Sequence, residues 1–196
     1  ALEESAYDNF MGEASGAAKI FGNTGGVMEA AVRTAYAYAV NKPVPKDLLN
    51  LTTVRGLDGI KEAVVDIDGL KLKAAVVYGT ANARKLIERL KAGTVHYDFV
   101  EVMTCPGGCI GGGGQPKDRD YKGDELRGKR IDSLYQNDVS LKVRLSHENT
   151  ELKKLYAEFY GKPLSELAEE MLHTSYYDRS EDLGGGVEIV EEAVEA

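Results

Sequence analysis

Leu72-Lys73-Ala74-Ala75-Val76-Val77-Tyr78, a helical stretch from Ala81 to Lys91, and Tyr97-Asp98-Phe99-Val100-Glu101-Val102-Met103 decide how this chain folds. The first and third runs are rich in β-branched and aromatic residues and read as strands. Gly79 breaks the first run. Thr80 is placed to cap a helix over 81–91, with Ala83, Ile87 and Leu90 facing inward and Gly93 as its stop. A strand, a helix and a strand in that order form one βαβ unit, whose strands lie parallel.

Working outward, Ala63 to Ile67 reads as another strand, joined to the first by the hairpin signal Asp68-Gly69. Ser15 to Phe21 reads as a short strand or loop. Gly22-Asn23-Thr24-Gly25-Gly26 is a turn, and the helix after it should place Val27, Ala30, Ala31, Ala35 and Tyr38 on one face until Pro43 and Pro45 end it. Residues 117–130 read as a charged, loop-like insertion and Arg130 to Leu141 as a helix. Asn149 or Thr150 should cap a helix through Tyr160, with Leu152, Leu155, Tyr156 and Phe159 inward. Ser165 should cap a further one, with Leu167, Ala168, Met171 and Leu172 inward. The expected fold is α/β: a lobe with a mainly parallel sheet and helices on both faces over 1–145, a helical C-terminal extension over 146–177, and an acidic, disordered tail over 178–196.

A formal net charge of -8 over 196 residues argues against nucleic acid as a partner, because that role needs a concentrated basic face. No apolar run reaches the roughly 20 residues that cross a bilayer, so no membrane span is expected. The start, Ala1 to Ser5, has neither a basic nor an apolar leader pattern, and two cysteines make no secreted disulfide framework. Both points favour a cytoplasmic location.

Both cysteines lie in Met103-Thr104-Cys105-Pro106-Gly107-Gly108-Cys109-Ile110-Gly111-Gly112-Gly113-Gly114-Gln115-Pro116, directly after the last strand. In open α/β sheets ligands gather at the carboxyl ends of strands. Soft thiolates suit iron–sulfur clusters, zinc or copper(I), and six glycines leave room for an inorganic core. A helix opening at Pro106 would favour thiolate over thiol. A thioredoxin-type pair needs two intervening residues rather than three, and a phosphate loop needs Lys-Ser or Lys-Thr after its last glycine. His96, His147 and His173 lack zinc-ligand spacing. From the residues alone, a metal site and a glycine turn with two buried thiols stand about even.

The run Glu101 to Pro116 closely resembles the last cysteine signature of the iron-only ([FeFe]) hydrogenases. Ser15 to Ala31, Arg130 to Leu145, Ser146-His147-Glu148-Asn149 and Leu172 to Tyr176 resemble further stretches of that family, in the same order. The resemblance implies that residues 1–145 are the C-terminal lobe of a catalytic domain. The family's cofactor, the H-cluster, is a [4Fe-4S] cluster joined to a diiron unit that bears CO and cyanide as diatomic ligands. The resemblance places Cys105 as a ligand of the former and Cys109 as the catalytic, bridging ligand between the two. Phe21, Gly22 and Met103 are the implied cofactor-binding residues around the diiron unit. The reaction implied is 2H+ + 2e- to H2 and its reverse, linked to ferredoxin, NAD or a similar electron carrier.

The family's earlier cysteine signatures are absent from this sequence. The implied partners are therefore the N-terminal half of the same catalytic domain and the maturation proteins, and the chain alone is expected to hold no cluster and to be inactive. A non-catalytic iron–sulfur assembly relative and a hydrogen-sensing hydrogenase are the alternatives. Elsewhere, Glu29 and Arg33 read as an ordinary helical ion pair. Glu101 reads as a weak candidate for a hydrogen bond across the site, and His147 as a residue bonded locally.

Overall fold

The computed structural model describes residues 4–8, 11–116, 123–175 and 178. Three strands form one sheet in the order β1 (Ile60–Ile67), β2 (Leu70–Tyr78), β3 (Phe99–Met103). β1 and β2 pair antiparallel from Ile60↔Val77 to Ile67↔Leu70, and β2 and β3 pair parallel from Ala74↔Phe99 to Tyr78↔Met103. The sheet is thus mixed, not mainly parallel. The reason is the hairpin itself: Asp68 and Gly69 both take positive φ, 52° and 97°, and turn the chain straight back, while Asp66 Oδ1 accepts from the Gly69 amide.

β2 is central and buried on both faces. Ala74 and Val76 join Met28, Val54, Ala63 and Val65 on one side; Ala75 and Val77 join Leu86 on the other. The first side is covered by α2 (Gly26–Val40), the second by α3 (Thr80–Lys91). Each of the buried Val, Leu and Met side chains contributes about 1.5–3 kcal/mol by leaving water. Gly79, not Thr80, occupies the cap of α3, and Leu86 rather than Ile87 or Leu90 is its buried residue. Ser15 to Phe21 is neither strand nor loop: Gly16–Ile20 is a short helix, α1, and the Ser15 hydroxyl accepts from the Ala18 amide.

The inward face of α2 carries Met28, Glu29, Ala30, Arg33 and Tyr36, whereas Ala31, Ala35 and Tyr38 face solvent. The expected apolar face was displaced by a buried charge network. Arg33 grips Asp138 with both terminal nitrogens, at 2.9 and 2.8 Å, and donates to Glu29 at 2.8 Å and to the Leu49 carbonyl at 2.7 Å. Arg55 and Arg144 complete the set on Glu29 and Asp138. Arg33, Glu29 and Asp138 are fully buried, so the Glu29–Arg33 pair is a core element rather than a surface pair.

Asp138 lies on α4 (Gly123–Ser140), which is helical well before Arg130; residues 117–122 of the expected insertion lie outside the described residues. Ile20, Ile110, Ile131 and Tyr135 form a further apolar cluster that joins α1, the cysteine loop and α4. The chain divides into two compact units, 1–153 and 154–196. α5 (Thr150–Leu155) has Asn149 as its cap, and one π-helical turn spans Tyr156–Tyr160. α6 (Glu166–Leu172) is capped by Ser165, as expected, and Ala168 is its buried residue, while Leu167, Met171 and Leu172 are exposed. The acidic tail lies outside the described residues except Asp178.

Candidate functional site

β3 ends at Met103, and the cysteine loop leaves the carboxyl end of the parallel pair. The turn between α1 and α2 faces this loop. Two backbone hydrogen bonds zip them together: the Thr24 amide donates to the Gly107 carbonyl at 3.0 Å, and the Ile110 amide donates to the Gly22 carbonyl at 3.1 Å. Gly108 sits in the seam with φ 96°; a Cβ there would lie 2.7 Å from the Thr24 nitrogen and 2.8 Å from the Gly22 oxygen.

The helix expected at Pro106 does not form. Gly107 and Gly108 take positive φ, and only a single 3-10 turn, Cys109–Gly111, follows. A helix N-terminus therefore does not act on Cys105. Both cysteines are free thiols, Cys105 half-buried and Cys109 exposed. The Cys105 thiol and the Cys109 main chain border Gly112, where a Cβ would lie 3.6 Å from Cys105 Sγ and 3.2 Å from the Cys109 carbonyl oxygen. The space beside Gly113 and Gly114 is open. Phe21 is half-exposed at the end of α1, and Gly22 packs near Leu134 and Ile110. The fold therefore brings the Phe21–Gly22 turn and the Cys105–Cys109 loop into one seam, with Met103 at the strand end that leads into it.

α4 braces the loop from outside. Arg130 donates to the carbonyls of Ile110 and Pro116, at 2.8 and 2.6 Å, and Arg127 lies beside Gly111 and pairs with Asp124. These arginines carried no recognisable signal in sequence, since they depend on where α4 docks.

Beneath the seam lies a buried pair of opposite charges. Glu101, on β3, accepts from the Gly25 amide at 2.6 Å and the Met28 amide at 2.7 Å, and so caps α2 from another element. This is the cross-site hydrogen bond to which sequence gave little weight. Burial pushes its carboxyl above the usual range, opposed by the two amides and by Lys61. Lys61, on β1, donates to the carbonyls of Thr24 and Gly56 at 3.1 and 2.9 Å. Sequence reasoning passed over Lys61, although strand alternation placed it on the inward face with Ala63, Val65 and Ile67. Burial lowers its pKa to about 8, against the pull of Glu101 and Asp58.

Between pH about 8 and 10.5 the unfolded chain thus binds the Lys61 proton more strongly than the folded one. The burial penalty is relieved across that window, and the Lys61 contribution to stability rises with pH. Urea unfolding at several pH values should show this rise, and it should be missing in Lys61→Met.

His147 does not bond locally; its Nδ1 lies 3.1 Å from Thr34 Oγ1, and its ring packs on Tyr38. Among the described residues no group of three or more His, Cys, Asp or Glu is placed to hold a metal ion, and no helix is long and apolar enough to cross a membrane. Two free thiols on one glycine-rich loop, Cys105 half-buried and Cys109 exposed, fit one side of an iron–sulfur centre, whose full set of four thiolates this chain does not contain.

Two family models match in succession: "Iron only hydrogenase large subunit, C-terminal domain" over residues 1–113 and "Iron hydrogenase small subunit" over 124–179. The chain is 46% identical to the NADP-reducing hydrogenase subunit HndD of Solidesulfovibrio fructosivorans over 91% of its length, and 45% identical to iron hydrogenase 1 of Clostridium pasteurianum over 89%. It is 31% identical to protein NAR1 of Arabidopsis thaliana over 90%. It spans 30% of each of the first two relatives and 37% of the third. A solved HydA(deltaEFG) [FeFe]-hydrogenase matches with a TM-score of 0.64 and 40% identity, over 95% of this chain and 51% of that one. A variant of [FeFe]-hydrogenase HydA1 from Chlamydomonas reinhardtii matches with a TM-score of 0.65, 40% identity and the same shares. With the large-subunit model covering more than half of its residues, the chain belongs to the iron-only ([FeFe]) hydrogenase catalytic-domain family.

Proposed function

We propose that this chain forms part of an [FeFe] hydrogenase that interconverts protons, electrons and H2, and that its residues 1–145 supply one wall of the catalytic site. The observation that carries this reading is the seam in which the loop bearing two free thiols, Cys105 and Cys109, is zipped by backbone hydrogen bonds to the Phe21–Gly22 turn. Cys105 and Cys109 would hold the H-cluster from this side, Cys105 as a ligand of its [4Fe-4S] part and Cys109 as the ligand shared with the diiron unit. When bound, the H-cluster supplies the redox chemistry at which protons are reduced. Phe21 and Met103 limit water at that wall, and Gly22 allows close approach of the backbone. The other anchors come from the N-terminal half of the catalytic domain. A ferredoxin or nicotinamide-linked carrier supplies electrons, and maturation proteins build the cluster.

The test is to produce the complete catalytic domain with the maturation proteins and compare it with Cys105→Ala and Cys109→Ala. Iron, acid-labile sulfide and hydrogen evolution from reduced viologen should all collapse in Cys105→Ala. Cys109→Ala should lose evolution at least as completely. The 196-residue chain alone should not turn over; sustained evolution by it would refute the proposed division of the site. The similarity to the cytosolic Fe-S cluster assembly factor narfl of Danio rerio supports a second reading, an iron–sulfur assembly role without hydrogen chemistry, but at 30% identity against 45–46% for the hydrogenases it stands behind. A complete domain that loads iron and sulfide yet evolves no hydrogen would favour it.

A further inference from the structure

Lys61 and Glu101 converge on one peptide group. The Thr24 carbonyl accepts from Lys61 Nζ at 3.1 Å, and the Gly25 amide, the other end of the same peptide, donates to Glu101 Oε1 at 2.6 Å. Residue 24 is also the residue whose own amide reaches across the seam to Gly107. Both gripping side chains are nearly fully buried, with relative exposures of 5% and 7%, and they come from two strands, β1 and β3, that are not neighbours in the sheet.

We infer that Lys61 and Glu101 are positioning residues that clamp the Thr24–Gly25 peptide and thereby fix the Phe21–Gly22 turn against the Cys105–Cys109 loop. The inference rests on the hydrogenase reading for what the seam holds, but not for the clamp itself. A peptide held at only one end can rotate about its flanking dihedrals; held at both ends, it cannot tilt without breaking a charge-assisted hydrogen bond. Glu101 does more than cap a helix. It is two residues from Met103 on the same strand, so any shift of β3 carries the turn with it. The clamp makes the strand that ends at the cysteine loop and the turn that faces it move as one body. Gly56, the other acceptor of Lys61, ties the chain just before β1 into the same unit.

The test uses the full-length protein that contains this chain, matured and loaded with iron, as wild type, Lys61→Met, Glu101→Gln and the double variant. Hydrogen exchange is followed by mass spectrometry in three segments. In each single variant, segments 20–28 and 106–111 should exchange about tenfold faster, the scale of one lost charge-assisted hydrogen bond. Segment 74–77 of the central strand should not change. The double variant should add little to either single one, because both act on one peptide. With iron content at wild-type level, the infrared bands of the diatomic ligands at the diiron unit should shift in both single variants.

Acceleration in all three segments alike would mean that the pair merely stabilises the fold, and would overturn the clamp. Acceleration in 20–28 without 106–111, or faster exchange with unmoved infrared bands, would overturn the positioning role. Failure of the wild-type protein to load iron would count against the hydrogenase reading, while the exchange pattern would still decide the clamp.

Discussion

In Gly108→Ala the complete catalytic domain should fail to load iron. Gly108 holds φ 96°, a conformation that costs an L-residue about 1–2 kcal/mol, and its missing Cβ would fall 2.7, 2.8 and 3.0 Å from backbone atoms of Thr24, Gly22 and Asn23. Those atoms are main chain and cannot swing aside. Relief requires the two turns to part, which breaks Thr24 to Gly107 and Ile110 to Gly22, each worth about 1 kcal/mol. Once parted, the wall that carries Cys105 and Cys109 no longer faces Phe21 and Gly22. Iron per chain should fall to background, while the far-ultraviolet circular dichroism spectrum stays that of the wild type, since β1, β2 and α2 do not contact the new methyl group. Gly128→Ala, in a helix with open space around it, is the control and should load normally. Normal loading in Gly108→Ala would show that the seam is not needed.

A comparable loss, expressed as stability, is expected in Arg33→Met. Removing this cation leaves Glu29 and Asp138 buried with Arg55 and Arg144 only partly compensating, and breaking a buried ion set in this way costs about 3–5 kcal/mol. The pH dependence follows from Asp138. Burial raises its pKa, but hydrogen bonds and charge from Arg33 and Arg144 win and hold the carboxyl below the usual range. A carboxyl lowered on folding stabilises the protein above its ordinary pKa near 3.8, and that stability is lost as pH falls through the lower, folded value. Without Arg33 the depression should shrink, so the acid limb of the stability curve should move to higher pH. Urea unfolding at pH 7 and pH 4 checks both statements. A loss below about 1 kcal/mol at pH 7 would place the network among weak ion pairs.

How legible all this was in sequence depends on the range of the interaction. The hairpin at Asp68-Gly69, the βαβ order and the cap at Ser165 were readable because each is set by residues close in the chain. The cysteine loop was legible as the proposed site through its glycines and its place after β3. The inward face of α2 was not, because periodicity counts apolar residues and this face is built on Glu29 and Arg33, whose partners lie as far away as Asp138. Lys61 sat in plain alternation with Ala63 and Val65, yet a lysine on an inward face reads as an error until its carbonyl acceptors, Thr24 and Gly56, are seen. The helix expected at Pro106 failed because Gly107 and Gly108 both adopt left-handed backbone.

The bracing of the cysteine loop by α4 bears on how such proteins come as one polypeptide or two. The stretches matched by the large-subunit and small-subunit models meet in this chain, and besides the peptide that joins them they are fastened by non-covalent contacts: Arg33 on Asp138, Arg130 on Ile110, and Ile20 with Ile131 and Tyr135. A nick placed between residues 113 and 124 would sever the peptide yet leave this docking surface whole. Gene fusion or fission at that point is therefore structurally inexpensive, because these contacts hold the halves together without the join.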